Sequence, residues 1–171
     1  LPNVFFHLIL GEVVVTAFVP VFVEYVTQRS QDEARSLSST VIALTLLIST
    51  AATIAAVASA GWIIKIYTFR LVGPERVAQE EVGAFFLRLF LPQIIFYTTG
   101  LVISGLLKAH RKFTAPTFAP IANNLIVAGV FVAFGVIHSA QIPTLQTLAF
   151  SEKLLLGLGT TAGVVVQTLL L

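Results

Sequence analysis

An all-α bundle of membrane-spanning helices is the fold class this sequence predicts, on three observations. Of 171 residues, 57% are hydrophobic and only 11% charged, where soluble domains carry roughly 25% charged residues. The mean hydropathy is +0.96, so the polar cover that would dissolve a core is missing. The apolar residues also gather into runs of roughly 20, the length a helix needs to cross a hydrocarbon layer about 30 Å thick. Helices follow because lipid offers backbone polar groups no partner, and the ten-residue alternation of a membrane barrel is absent.

Five spans are expected, about 4–26, 37–60, 82–107, 117–137 and 154–171. The first contains Pro20, which bends it, and the polar linker TQRSQDEAR follows. The second is rich in Ala, Ser and Thr, which suits close helix packing more than lipid contact. Between it and the third lies a mixed segment, 61–81, whose Trp62 and Tyr67 fit an aromatic interfacial belt. Within that segment Gly73-Pro74-Glu75 reads as a helix restart, with proline in the first turn and an acid near the positive end of the dipole. The pattern is already hydrophobic at Leu1, so the chain reads as an excerpt of something longer.

Charge sets the expected orientation. The short turn between the third and fourth spans carries Lys108, Arg111 and Lys112 and no acid, which places it in the cytoplasm. Two spans back, the 27–35 linker falls on the same side, and segments 61–81 and 141–153 face outward. Pro116 and Pro120 stiffen the start of the fourth span, where a missing amide proton costs least. The net charge of +2 is too small for a nucleic-acid binder. With no cysteine there are no thiolate metal sites or nucleophiles, and three scattered histidines do not make a metal centre. There is no GxxxxGK[ST] loop, HExxH or GxSxG, so neither an enzyme nor a cofactor is expected.

The candidate functional residues are the polar ones kept inside spans, where a charge costs on the order of 3 kcal/mol. Glu12 sits about 12 Å along the first span by the helical rise, and Glu12, Thr16 and Pro20 follow at i, i+4 spacing on one seam. That seam either lines a cavity, holding a basic group, cation or proton, or makes a structural pair with a neighbouring helix. Arg88 lies one turn before Pro92, and Thr99 returns to nearly its helical angle eleven residues on. A guanidinium there can grip a phosphate or carboxylate group bidentately; the alternatives are snorkelling to headgroups or pairing with Glu81. His7 is a titratable positive charge or a packing residue. Asn123 and Asn124 suit interhelical hydrogen bonds, and Gly159 and Gly163 form a GxxxG step for close packing.

Three stretches carry a resemblance. LPNVFFHLILGEVVVTAFVPVFVEY resembles the second helix of the MurJ/MviN-type lipid II flippases, within the multidrug/oligosaccharidyl-lipid/polysaccharide exporter superfamily. LPQIIFYTTGLVISGLLKAHRKFTAPTFAPIANNL is similar to that family's fourth helix, cytoplasmic basic turn and proline-bearing fifth helix, and LGLGTTAGVVVQTLLL to its sixth. The match is colinear over the whole chain, and the stretch from Lys108 to Asn124 is its most specific part. The resemblance implies helices two to six of the N-terminal lobe of a two-lobe transporter of about fourteen helices. It implies a multi-pass protein of the bacterial plasma membrane that moves lipid II, or a related polyprenyl-pyrophosphate glycan, by alternating access, with membrane lipids and coupling ions as further partners.

The resemblance supports Arg88, since the family often has a basic residue just before the LP of helix four. It also marks departures. Relatives carry two basic residues after LPN where this chain has Phe6 and His7, and Gly11-Glu12 stands where many have Glu-Gly. Glu24 matches the EY end of the second helix and reads as structural. Two rivals stand beside the flippase: another glycan or drug exporter of the superfamily, and a non-transporting scaffold for cell-wall assembly.

Overall fold

The computed structural model describes residues 31–138 and 143–171; the first expected span, 4–26, and the linker residues 27–30 lie outside them. Described regular structure is helical throughout: α1 (Gln31–Ala58), α2 (Ala60–Tyr67), α3 (Pro74–Phe90), α4 (Gln93–Ala109), α5 (Thr114–Ile137) and α6 (Phe150–Leu169). Three described segments are long and apolar enough to cross a membrane: Arg35–Ala58, Pro74–Ala109 through α3 and α4 together, and Thr114–Ile137. α6 forms where the last span was expected, but Glu152, Lys153, Gln167 and its glycines dilute its apolar content, and it is not among the three.

The core is made of small side chains. Ala60, Val82, Val102, Ala119 and Val164 are its buried hydrophobics, with Ser49, Thr53 and Thr68 buried beside them. Leu47, Ile48, Leu125 and Val136 are exposed instead. This inversion suits a bundle whose solvent is lipid, because tails as apolar as leucine give large side chains no reason to turn inward.

Among the described helices, α5 and α6 form the most extensive pair. The two glycines of the GxxxG step make it possible: a Cβ on Gly159 would collide with Val130, and one on Gly163 with Asn123 and Val127. Gly157 turns the other way, against Leu89 of α3, while Phe85 and Phe150 meet edge to face with centroids 5.7 Å apart. α1 lies against α4 with Ser49 and Thr53, one turn apart, as its buried polar residues.

The segment between α1 and α3 folds back on itself. Gly73 takes φ +77°, a left-handed value that favours glycine. Pro74 then opens α3 and Glu75 sits in its first turn, as the Gly-Pro-Glu pattern predicts. Ile64 of α2 fills the space over Gly83. Glu80 accepts from Arg76 Nε at 2.7 Å and from Thr68 Oγ1 at 3.1 Å, tying the turn together. Trp62 and Tyr67 are exposed, and Lys65 and Arg70 lie over the rings of Trp62 and Phe69. That suits the belt role, with apolar rings beside cations.

Two expectations are refined by the structure. The third span is not one continuous helix: α3 ends at Phe90 and α4 begins at Gln93, with Leu91 and Pro92 between. The cause is Pro92, which lacks an N–H for the Arg88 carbonyl four residues back and crowds it. The fourth span starts at Thr114, so Pro116 lies in its first turn while Pro120 falls inside the helix, where its side chain is exposed.

Candidate functional site

α3 organises the candidate site. Val77, Glu81, Ala84 and Arg88 recur at four-, three- and four-residue steps, which puts them on one stripe of the helix. Phe86 and Phe90, stacked at 5.7 Å, occupy the opposite side. Leu89 and Phe85 turn toward α6. At the Pro74 end of the stripe, Val77 and Glu81 line a cleft of about 500 Å³, shared with Leu145, Gln146 and Lys153. Arg88 follows two turns further along, about 10 Å by the helical rise. Its side chain is exposed and makes no ion pair with Glu81 or any other described residue.

Thr99 does not share that surface. The break at Pro92 interrupts the helical phase linking it to Arg88, and its Oγ1 is buried without a hydrogen-bond partner. Glu12, His7 and Thr16 lie outside the described residues, as do Phe6, Gly11 and Glu24.

At the other end of α4 the basic residues build a helix stop. His110 caps the helix, Arg111 N–H donates to the Lys108 carbonyl at 2.9 Å and Lys112 N–H to the Leu107 carbonyl at 2.8 Å. This is the Schellman arrangement, which needs a left-handed residue just past the cap. Arg111 supplies it with φ +58° although it is not glycine. Lys108, His110, Arg111 and Lys112 are all exposed, a cationic knob at the negative end of the helix dipole.

Sequence reasoning missed two polar contacts. Gln93 Nε2 donates to Thr161 Oγ1 at 2.8 Å, beside the Pro92 break. At the far end of α5, His138 Nε2 lies 2.7 Å from Glu152 Oε1, and Glu152 Oε2 accepts the Ala149 N–H at 2.8 Å. The Ala149 N–H first, and His138 with it, hold the Glu152 carboxyl below the usual carboxylate value against the opposing pull of burial. Glu152 three residues after Ala149 was the available signal, since an acid in the first helical turn suits the dipole. Nothing comparable marks Gln93 and Thr161, which are 68 residues apart. Asn123, expected in an interhelical hydrogen bond, reaches α6, but its Oδ1 abuts Gly163 and is unpaired. A helical glycine there has no free donor to give. Asn124 is exposed.

The family model described as Lipid II flippase MurJ matches residues 1–171. The chain belongs to the MurJ lipid II flippase family. A lipid II flippase MurJ from Burkholderia cenocepacia is 30% identical over 122 residues, which are 68% of this chain and 23% of that protein. The chain thus spans about a quarter of the length of the curated MurJ relative it matches. No solved structure matches it significantly. Membership in the MurJ family and the long apolar helices make this a membrane protein.

Proposed function

We propose that this chain is one wall of a transporter that moves lipid II, the undecaprenyl-pyrophosphate-linked peptidoglycan precursor, across the bacterial plasma membrane. The large polar head of such a lipid cannot cross hydrocarbon unaided. A protein that carries it offers a wet passage with cationic ligands and rocks two lobes about that passage in turn. The 171 residues form five spans of the N-terminal lobe, with the Lys108–Lys112 turn in the cytoplasm and the cleft by Glu81 at the outer side. Arg88 contacts the pyrophosphate; Glu12, His7 and Thr16 line the passage with it, and Thr99, buried off that surface, does not. Ions serve as the coupling partner, a reading supported by the lack of a GxxxxGK[ST] nucleotide loop in these 171 residues.

The observation that carries this reading is Arg88: an exposed guanidinium with no acid among the described residues holding it, inside a segment long and apolar enough to span, in a chain of this family. An ionisable side chain kept inside a span is a functional candidate by default. An arginine facing the passage would repel a drug cation, which counts against an exporter of that kind. The test uses the full-length protein in bacteria depleted of their own flippase. Wild type restores growth and lipid II exposure, and Arg88→Ala at equal expression restores neither. Growth without lipid II exposure refutes the transport reading, and full rescue by Arg88→Ala removes Arg88 from the site.

A further inference from the structure

The break at Leu91–Pro92 is mended from outside the helix. Leu91 N–H still reaches the Leu87 carbonyl at 2.9 Å, but Ile94 and Ile95 donate only three residues back, to Leu91 and Pro92, at 3.0 and 3.2 Å. A proline break in a membrane helix is tolerated where a neighbouring helix satisfies the freed carbonyls. Here α6 does so. Thr161 Oγ1 lies 3.2 Å from the Leu89 carbonyl and 2.8 Å from its own Gly157 carbonyl, so one hydroxyl hydrogen serves both. Its oxygen accepts the Gln93 amide from the far side of the break. Seven residues on, Thr168 Oγ1 reaches the Phe96 carbonyl at 3.1 Å. Two threonines one heptad apart thus hold two carbonyls one heptad apart, one on each side of Pro92. Gly157 lets α6 come close enough, with the Leu89 side chain occupying the place of a Cβ.

We propose that Thr161, oriented by Gln93, is a positioning residue for Arg88: it sets the angle of the Pro92 break and so the direction in which Arg88 leaves α3. The Leu89 carbonyl is one residue beyond Arg88, and fixing it fixes the last turn of α3 on which the guanidinium is mounted. This inference rests on the proposed role of Arg88 as a pyrophosphate contact. Thr168 fixes the α4 side, so α6 acts as a splint across the break.

The experiment uses the full-length protein in lipid nanodiscs, with spin labels at Gln79 on α3 and Leu107 on α4 and distances read by pulsed electron resonance. Thr161→Val, close in shape but without the hydroxyl, shifts or broadens the distance distribution and lowers lipid II exposure in cells roughly fivefold, the weight of one hydrogen bond. Thr161→Ser restores both, which a purely steric role does not predict. Gln93→Leu serves as second variant if Thr161→Val does not fold, and gives the same shift. An unchanged distance distribution and wild-type transport in Thr161→Val overturn the proposal, as does failure of Thr161→Ser to rescue. If the distances shift while Arg88→Ala transports normally, the reading of Arg88 falls and the splint across the break stands.

Discussion

Arg111 pays a conformational cost that glycine would not. A non-glycine residue at left-handed φ costs about 1 kcal/mol, and Arg111 holds φ +58° at the position where helices usually stop on glycine. Arg111→Gly is therefore expected to raise the thermal midpoint of the full-length protein in detergent, while removing one charge from the basic turn. An unchanged or lowered midpoint would show that the guanidinium contributes more than the backbone strain takes away. Gly163 poses the reverse case. A Cβ there meets Asn123 Oδ1 and comes within 3.1 Å of the Asn123 carbonyl, so Gly163→Ala should cost about 1–3 kcal/mol as overpacking. Gly129, on the same helix pair but with nothing within 4 Å of its Cβ position, is the control: Gly129→Ala should be neutral or stabilising. Equal effects from both would contradict the close approach of α5 and α6.

At the scale of elements, the junction between α5 and α6 makes a prediction about acid. The Ala149 N–H and His138 depress the folded-state value of Glu152, which lies ahead of the last span. A depressed carboxylate stabilises the fold fully above its unfolded value of 4.5 and loses that contribution as pH falls through the lower folded value. Glu152→Gln should flatten the acid limb of the thermal midpoint as pH falls below the unfolded value of 4.5, and an identical limb in the variant would place the acid sensitivity elsewhere. The elements themselves were legible in sequence where their causes are local. Gly73-Pro74-Glu75 starts a helix because backbone freedom, a fixed φ and the dipole all act within three residues. Gly159 and Gly163 announce a close neighbour by what they lack. The break at Pro92 was only half legible: proline is visible, but whether the chain runs through it depends on Thr161 and Thr168, each bonded to a carbonyl 72 residues away.

For the whole molecule, composition identified a membrane bundle and the resemblance its family, and both are borne out. Hydropathy did not say which faces meet protein, because lipid and a leucine-lined neighbour are equally apolar; hence α1 buries Ser49 and Thr53 while Leu47 and Ile48 stay exposed. Arg88 and Thr99 form one seam only on an unbroken helix, and the break at Pro92 takes them out of phase. The account of function rests on a guanidinium reading a pyrophosphate, and the most direct measurement is selective lipid binding. Native mass spectrometry of the full-length protein should show undecaprenyl pyrophosphate held more tightly than undecaprenyl monophosphate. Arg88→Lys should erase most of that preference, because a point charge replaces a two-pronged donor. Wild-type preference retained in both Arg88→Lys and Arg88→Ala would contradict it.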